Sequence, residues 1–257
     1  MRQAIELGLP ANNDQVSHNS VSNNASLRLY AVNKWANENN IDLVIHGHFN
    51  DYPGHKYNKP GKYSGFTVYV PDSQYSNARA SGEIGQAIST ELQKVSPISD
   101  LPQESMPVVP DQDLIAVGAK GTRTGASILI EYGYIYEPQF NNPEVKSLIL
   151  PELAYQTYAG LQKYFNPTVT LASSTLPILI TENLQSGIRG SGQVLSLQKV
   201  LADKGYYPPT GKTPTDCPLN GNFGPCVESA VKNFQSSYGV NPTGVVGPIT
   251  REKLNAP

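Results

Sequence analysis

Three short apolar runs rich in β-branched residues, at 41–46 (IDLVIH), 66–70 (FTVYV) and 127–132 (SILIEY), constrain the fold most, because helical periodicity fills the stretches between them. The first run is continuously apolar and reads as a strand buried on both faces. The second alternates, with Phe66, Val68 and Val70 on one side and Thr67 and Tyr69 on the other. A first helix is expected from Leu27, Tyr30, Ala31, Val32 and Trp35, a second from Ile84, Ala87, Ile88, Glu91, Leu92 and Val95, and a third from Leu153, Thr157, Tyr158, Leu161 and Phe165, stopping at Asn166 and Pro167. The proline-broken stretch SPISDLPQESMPVVP carries no element in this reading. Strands alternating with helices predict an α/β layer: a mainly parallel twisted sheet flanked by helices.

That layer accounts for residues 1–167. A Thr-, Ser- and Pro-rich connector at 168–179 leads to a second unit at 180–257, and a chain of 257 residues is long enough for a medium domain and a small one. In the second unit Gly221-Asn-Phe-Gly-Pro and Gly244-Val-Val-Gly-Pro repeat at an offset of 23 residues, each leading into a helix start. With Leu195, Leu197, Val200 and Leu201, then Ala230, Val231 and Phe234, then Ile249 and Leu254, the pattern predicts a small all-α domain of three helices. Nineteen basic against 21 acidic residues, with no basic run, leave no electrostatic footprint for nucleic acid. No apolar run reaches the roughly 18 residues that span a bilayer, and no leader pattern follows Met1. Eight residues, among them Pro, Gly and Asn, separate Cys217 from Cys226, so either a loop-closing disulfide or two reduced thiols is open; no histidine lies near enough to suggest a structural zinc site.

The chemistry-bearing side chains gather at two strand ends. All four histidines fall in the first 55 residues, and His46 and His48 close the first run, where alternation puts both on one side. Ends of parallel strands are where α/β proteins build sites. Glu131 ends the apolar run SILI, a costly place for an unpaired charge unless a cation or hydrogen bond compensates. Together His48 and Glu131 suggest metal-assisted hydrolysis, the metal activating water and the carboxylate moving the proton. The plainer alternative is solvent-facing groups at strand ends.

The segments IDLVIHGHFND and ILIEYGYIYEP resemble those of zinc-dependent N-acetylmuramoyl-L-alanine amidases of the type 3 family, with YSGFTVYVP and SNARASGEIGQAISTEL resembling the strand and helix between them; the likeness runs from about Ser26 to Phe165. It implies that His48 is a Zn2+ ligand, that Asn50 is the asparagine accompanying it, and that Glu131 is the catalytic carboxylate. The family carries a Gly-His ligand and a Glu ligand upstream of these strands, and neither is in this sequence. The expectation is an amino-terminally truncated amidase that binds zinc poorly, or one in which His46 and His18 are recruited instead. GSGQVLSLQKVLADKGYY, FGPCVESAVKNFQSSYGV and TGVVGPITREKL resemble a three-helix peptidoglycan-binding domain, whose groove would lie near Tyr206, Tyr207 and Phe223. The two resemblances imply a monomeric, extracellular or periplasmic, wall-associated hydrolase that cleaves the amide between N-acetylmuramic acid and L-alanine. A non-catalytic peptidoglycan-binding protein with an incomplete metal site is the alternative.

Overall fold

The structure is a computed structural model that describes residues 23–52, 55, 59, 61–172 and 174–256. The chain begins with α1 (Asn23–Glu38), followed by β1 (Leu43–Asn50), β2 (Thr67–Pro71), α2 (Ala78–Leu92), a single 3-10 turn (Pro102–Glu104), β3 (Val109–Asp111) and β4 (Ala126–Tyr134). A short α3 (Pro138–Asn141) and the long α4 (Pro143–Phe165) complete the α/β part, and α5 (Gly192–Asp203), α6 (Pro225–Ser237) and α7 (Pro248–Asn255) form the second unit. His18 and the Asn- and Ser-rich opening lie outside the described residues.

The four strands order as β1-β4-β2-β3. β1 runs parallel to β4 and β3 parallel to β2, while β2 and β4 pair antiparallel at the centre. The expected α/β sheet with flanking helices is present. β3 is an addition, set in the proline-rich stretch assigned no element. It pairs only through Val109 to Asp111, too short a stretch for periodicity to reveal. β1 departs from the reading in another way. It pairs with β4 alone among the described strands and stands at the sheet edge, so Leu43, Val44 and Ile45 are half-buried where burial on both faces was expected.

Pleating sends Phe66, Val68, Val70, Ile128 and Ile130 to one face, where α2 and α4 cover them through Ile84, Ile88, Leu92, Ile149 and Leu153. Gly160 of α4 lies so close to α2 that a Cβ there would come within 2.5 Å of the Ile88 Cα. The buried stripe of α4 is Val145, Ile149, Leu153, Gln156 and Ala159, and the expected Tyr158 and Phe165 face solvent. On α1 the inward residues are Tyr30, Asn33 and Ala36, with Val32 and Trp35 exposed. Here α1 is held by polar contacts: the Asn33 amide donates to the Ile115 carbonyl at 2.7 Å, and the Asn37 carboxamide oxygen accepts from the Arg123 N–H at 2.7 Å. The 112–124 loop so anchored places Leu114, Ala116 and Val117 against Tyr69 and Leu129 on the second sheet face.

In the second unit Leu195, Leu197, Val200, Leu201, Ala230, Val231, Phe234 and Leu254 share a core as expected, whereas Ile249 is exposed. Cys217 and Cys226 form a disulfide with Cα atoms 5.9 Å apart. The two units are in contact. Val145 and Ile149 of α4 belong to the same apolar cluster as Val194 and Leu195. Beside them the Glu144 carboxylate accepts the Gly192 N–H at 2.6 Å.

Candidate functional site

His48 and Glu131 are register partners across the parallel pair β1 and β4, so their side chains leave the sheet on the same face. His48 Nδ1 stands 3.8 Å from Glu131 Oε1, beyond hydrogen-bond reach. The structure thus brings the two sequence-predicted residues together at the floor of a cavity of about 710 Å³, whose walls include Asn50, Asp51, Tyr52 and Gln103. Of the other histidines, His46 points to the same face, with its ring centroid 6.3 Å from that of His48. His55 lies apart, its Nδ1 2.9 Å from Asp51.

Burial sets the electrostatics. It pushes the Glu131 carboxyl up to about 7, and the nearby Glu104 charge pushes in the same direction. Glu131 Oε2 is buried without a partner. Burial also lowers His48, and it lowers His46 to about 4, with His48 adding to the shift. Near neutral pH both imidazoles are therefore uncharged, and Glu131 is poised to hold or release a proton. A carboxyl so tuned is suited to general acid–base work.

Glu104, which the sequence reading missed, ties the site together. It is only 2% exposed, and its carboxylate accepts from five side chains: Asn50 at 3.1 Å, Tyr69 at 2.8 Å, Thr67 at 3.0 Å, Ser99 at 2.6 Å and Tyr134 at 3.0 Å. Those donors come from β1, β2, the segment after α2, and β4. One acid in a proline-rich stretch carries no periodic or motif signal, so only the folded chain reveals this role. Asn50, expected to accompany a metal ligand, lines the cleft with His48 and donates to Glu104.

Catalytic zinc is usually held by three protein groups with a fourth position open. Among the described residues no group of three His, Cys, Asp or Glu side chains is placed to hold an ion. His48 is a suitable donor and the orphaned Nε2 of His46 is a second imidazole nitrogen, but they do not form a three-ligand set with Glu131. The described residues do not fit a complete zinc centre.

In the second unit Tyr207 and Phe223 are buried, and Tyr207 also lines an opening of about 140 Å³ with Ala202, Pro208 and Cys217. The Tyr207 hydroxyl donates to the Pro218 carbonyl at 3.1 Å. Another opening, of about 390 Å³, is lined by Gln235 and residues from Val240 to Thr250.

Comparison with known proteins gives this second unit its class. Residues 190–254 match the family model of peptidoglycan binding domains. The chain is 42% identical over 48 residues to a zinc D-Ala-D-Ala carboxypeptidase of Streptomyces albus G, a match of 19% of this chain and 18% of that protein, so it spans less than a fifth of this relative. The crystal structure of the N-acetylmuramyl-L-alanine amidase Ami1 from Mycobacterium smegmatis superposes with a TM-score of 0.36 at 19% identity, covering 54% of this chain and 59% of that one. That likeness is too distant to argue from. A peptidoglycan-related role rests on the domain at 190–254. No helix among the described residues is long and apolar enough to cross a membrane.

Proposed function

We propose that this chain is a wall-associated peptidoglycan hydrolase, extracellular or periplasmic and monomeric, with a catalytic unit at 1–167, a connector at 168–179 and a binding unit at 180–257. The observation that carries the reading is the buried Glu131 carboxyl, raised to about 7 beside His48 in a cleft on a chain that also bears a peptidoglycan-binding domain. The bond proposed for cleavage is the amide between N-acetylmuramic acid and L-alanine. Glu131, as base, takes a proton from the attacking water and, as acid, returns it to the departing L-alanine nitrogen. Neutral His48 stands beside Glu131 to orient the water.

Zinc would polarise the carbonyl and activate the water, and His48 is the residue proposed to ligate it. The described residues supply too few ligands to complete such a centre, so no step is assigned to the ion. That shortage favours a second reading, a peptidoglycan-binding protein without catalysis.

Purified sacculi separate the two. Incubation with the full chain is expected to release new L-alanine amino termini, and Glu131→Gln to abolish the release while the protein still pellets with the sacculi. Pelleting without amine release by the parent chain, with and without added zinc, would establish the binding-only reading.

A further inference from the structure

At the mouth of the cleft Tyr52 follows Asp51, and about a third of its surface is open to solvent. Its ring meets that of Tyr63 edge to face, with centroids 4.7 Å apart. The series continues inward through Tyr134, 6.4 Å from Tyr63, and Tyr136, stacked at 5.4 Å on Tyr134. Two rings are pinned: the Tyr136 hydroxyl accepts the Tyr63 backbone N–H at 3.3 Å, and the Tyr134 hydroxyl donates to Glu104 at 3.0 Å. Tyr52 is thus an outward-facing phenol on a buttressed aromatic base, beside His48 and Glu131. Neither proposed catalytic role uses it.

We propose that Tyr52, backed edge to face by Tyr63, forms a sugar-stacking subsite that receives a pyranose ring of the glycan strand; the proposal rests on the peptidoglycan reading above. Two features of the cleft select this occupant. An aromatic ring carries a negative face, which complements the weakly positive C–H face of a sugar. The charged side chains lining the cleft, Asp51, Glu104, Asp111 and Glu131, are acids; Lys62, whose ammonium lies over the Tyr63 ring at 4.8 Å from its centroid, is behind Tyr52 and not among the described walls. Exposed Asp51, next to Tyr52, can accept hydrogen bonds from a neutral, hydroxyl-rich ligand, and the acidic lining disfavours an anion. While the lactyl group of muramic acid is tied up as an amide, the glycan strand is neutral, whereas a stem peptide carries free carboxylates. The same lining discriminates after hydrolysis: the freed lactyl carboxylate is an anion facing an acidic wall, which favours its release.

The test is NMR on the full chain with ring-labelled tyrosine, the Tyr52 and Tyr63 resonances being assigned by Tyr52→Phe and Tyr63→Phe. Chito-tetraose of N-acetylglucosamine, a neutral glycan, is titrated in one arm and the free stem peptide in another. The expected result is a saturable shift of both resonances with the sugar and none with the peptide. Tyr52→Ala is expected to weaken the sugar-dependent shift at Tyr63 by roughly three- to tenfold, the scale of a single aromatic contact, and Tyr52→Trp to keep it. Sugar-induced shifts confined to the tyrosines of residues 190–254, or shifts at Tyr52 with the peptide alone, would overturn the subsite. Amine release from sacculi is scored separately: release without the Tyr52 shift ends the stacking proposal only, and the shift without release ends the hydrolase reading only.

Discussion

At the scale of single residues, Glu131 trades stability for a usable proton. Its folded-state pKa of about 7 lies above the roughly 4.3 of an unfolded glutamate, so between those values the folded state binds more protons and stability falls as pH rises, levelling off above 7. His46, lowered to about 4, works in the opposite direction over much of the same window, because its neutral form is the one the fold accepts. The difference between parent and variant isolates the carboxyl. In chelator-treated protein, thermal midpoints measured from pH 5 to 8 should show the parent losing ground to Glu131→Gln as pH rises; a constant difference would mean that Glu131 is not raised. Glu104 is expected to act on the same quantity. Glu104→Gln removes the neighbouring negative charge, so the parent-minus-variant pH dependence should move to lower pH in that background. The substitution also replaces one acceptor oxygen by a donor among five hydrogen-bond donors and should cost about 2–4 kcal/mol in urea denaturation.

At the scale of elements, the sheet is held to its helices by a close crossing of α2 and α4. Gly160 permits it, and the Glu91 carboxylate of α2 adds a clasp by accepting from Lys163 of α4 at 2.8 Å. Helix propensity alone says that Gly160→Ala stabilises by up to about 1 kcal/mol. The methyl group, however, would lie 2.5 Å from the Ile88 Cα, and backbone cannot step aside as a flexible side chain can. The variant is therefore expected to be less stable by about 1–3 kcal/mol, read as a lower denaturation midpoint; an increase would show that the crossing is looser than described. Helices of this kind were legible in the sequence as elements but less so as faces. On α4 the exposed Tyr158 and Phe165 mimic an apolar stripe, while the true inner face includes Glu152 and Gln156, polar residues that bury because they bond each other at 2.6 Å.

At the scale of the whole molecule, the binding unit is seated on α4. Besides the shared apolar cluster, Gly221, at φ 72°, approaches so closely that a Cβ would fall 2.6 Å from a Val145 methyl. Two units sharing a core should unfold together. Calorimetry of the full chain is expected to give one transition, and Gly221→Ala, strained at its backbone and crowded against Val145, to lower it. Two well-separated transitions in the parent chain would show that the shared core does not couple them. In the hydrolase proposed above, a module seated in this way would fix the direction in which a bound strand meets the cleft, in addition to raising its local concentration.

What the sequence determined by itself was local: which of the longer runs become strands or helices, and that His48 and Glu131 lie at the ends of two apolar runs. Periodicity and punctuation carry such information because they follow from the backbone geometry of a few consecutive residues. Only the tertiary structure decided the rest. Register between β1 and β4 set His48 opposite Glu131, placement at the edge left β1 half-covered, and Glu104 reached its five partners from a stretch with no pattern to read. Contacts between residues tens of positions apart depend on how faces are buried together, and burial is a property of the assembled molecule, so it also fixed the protonation of the site.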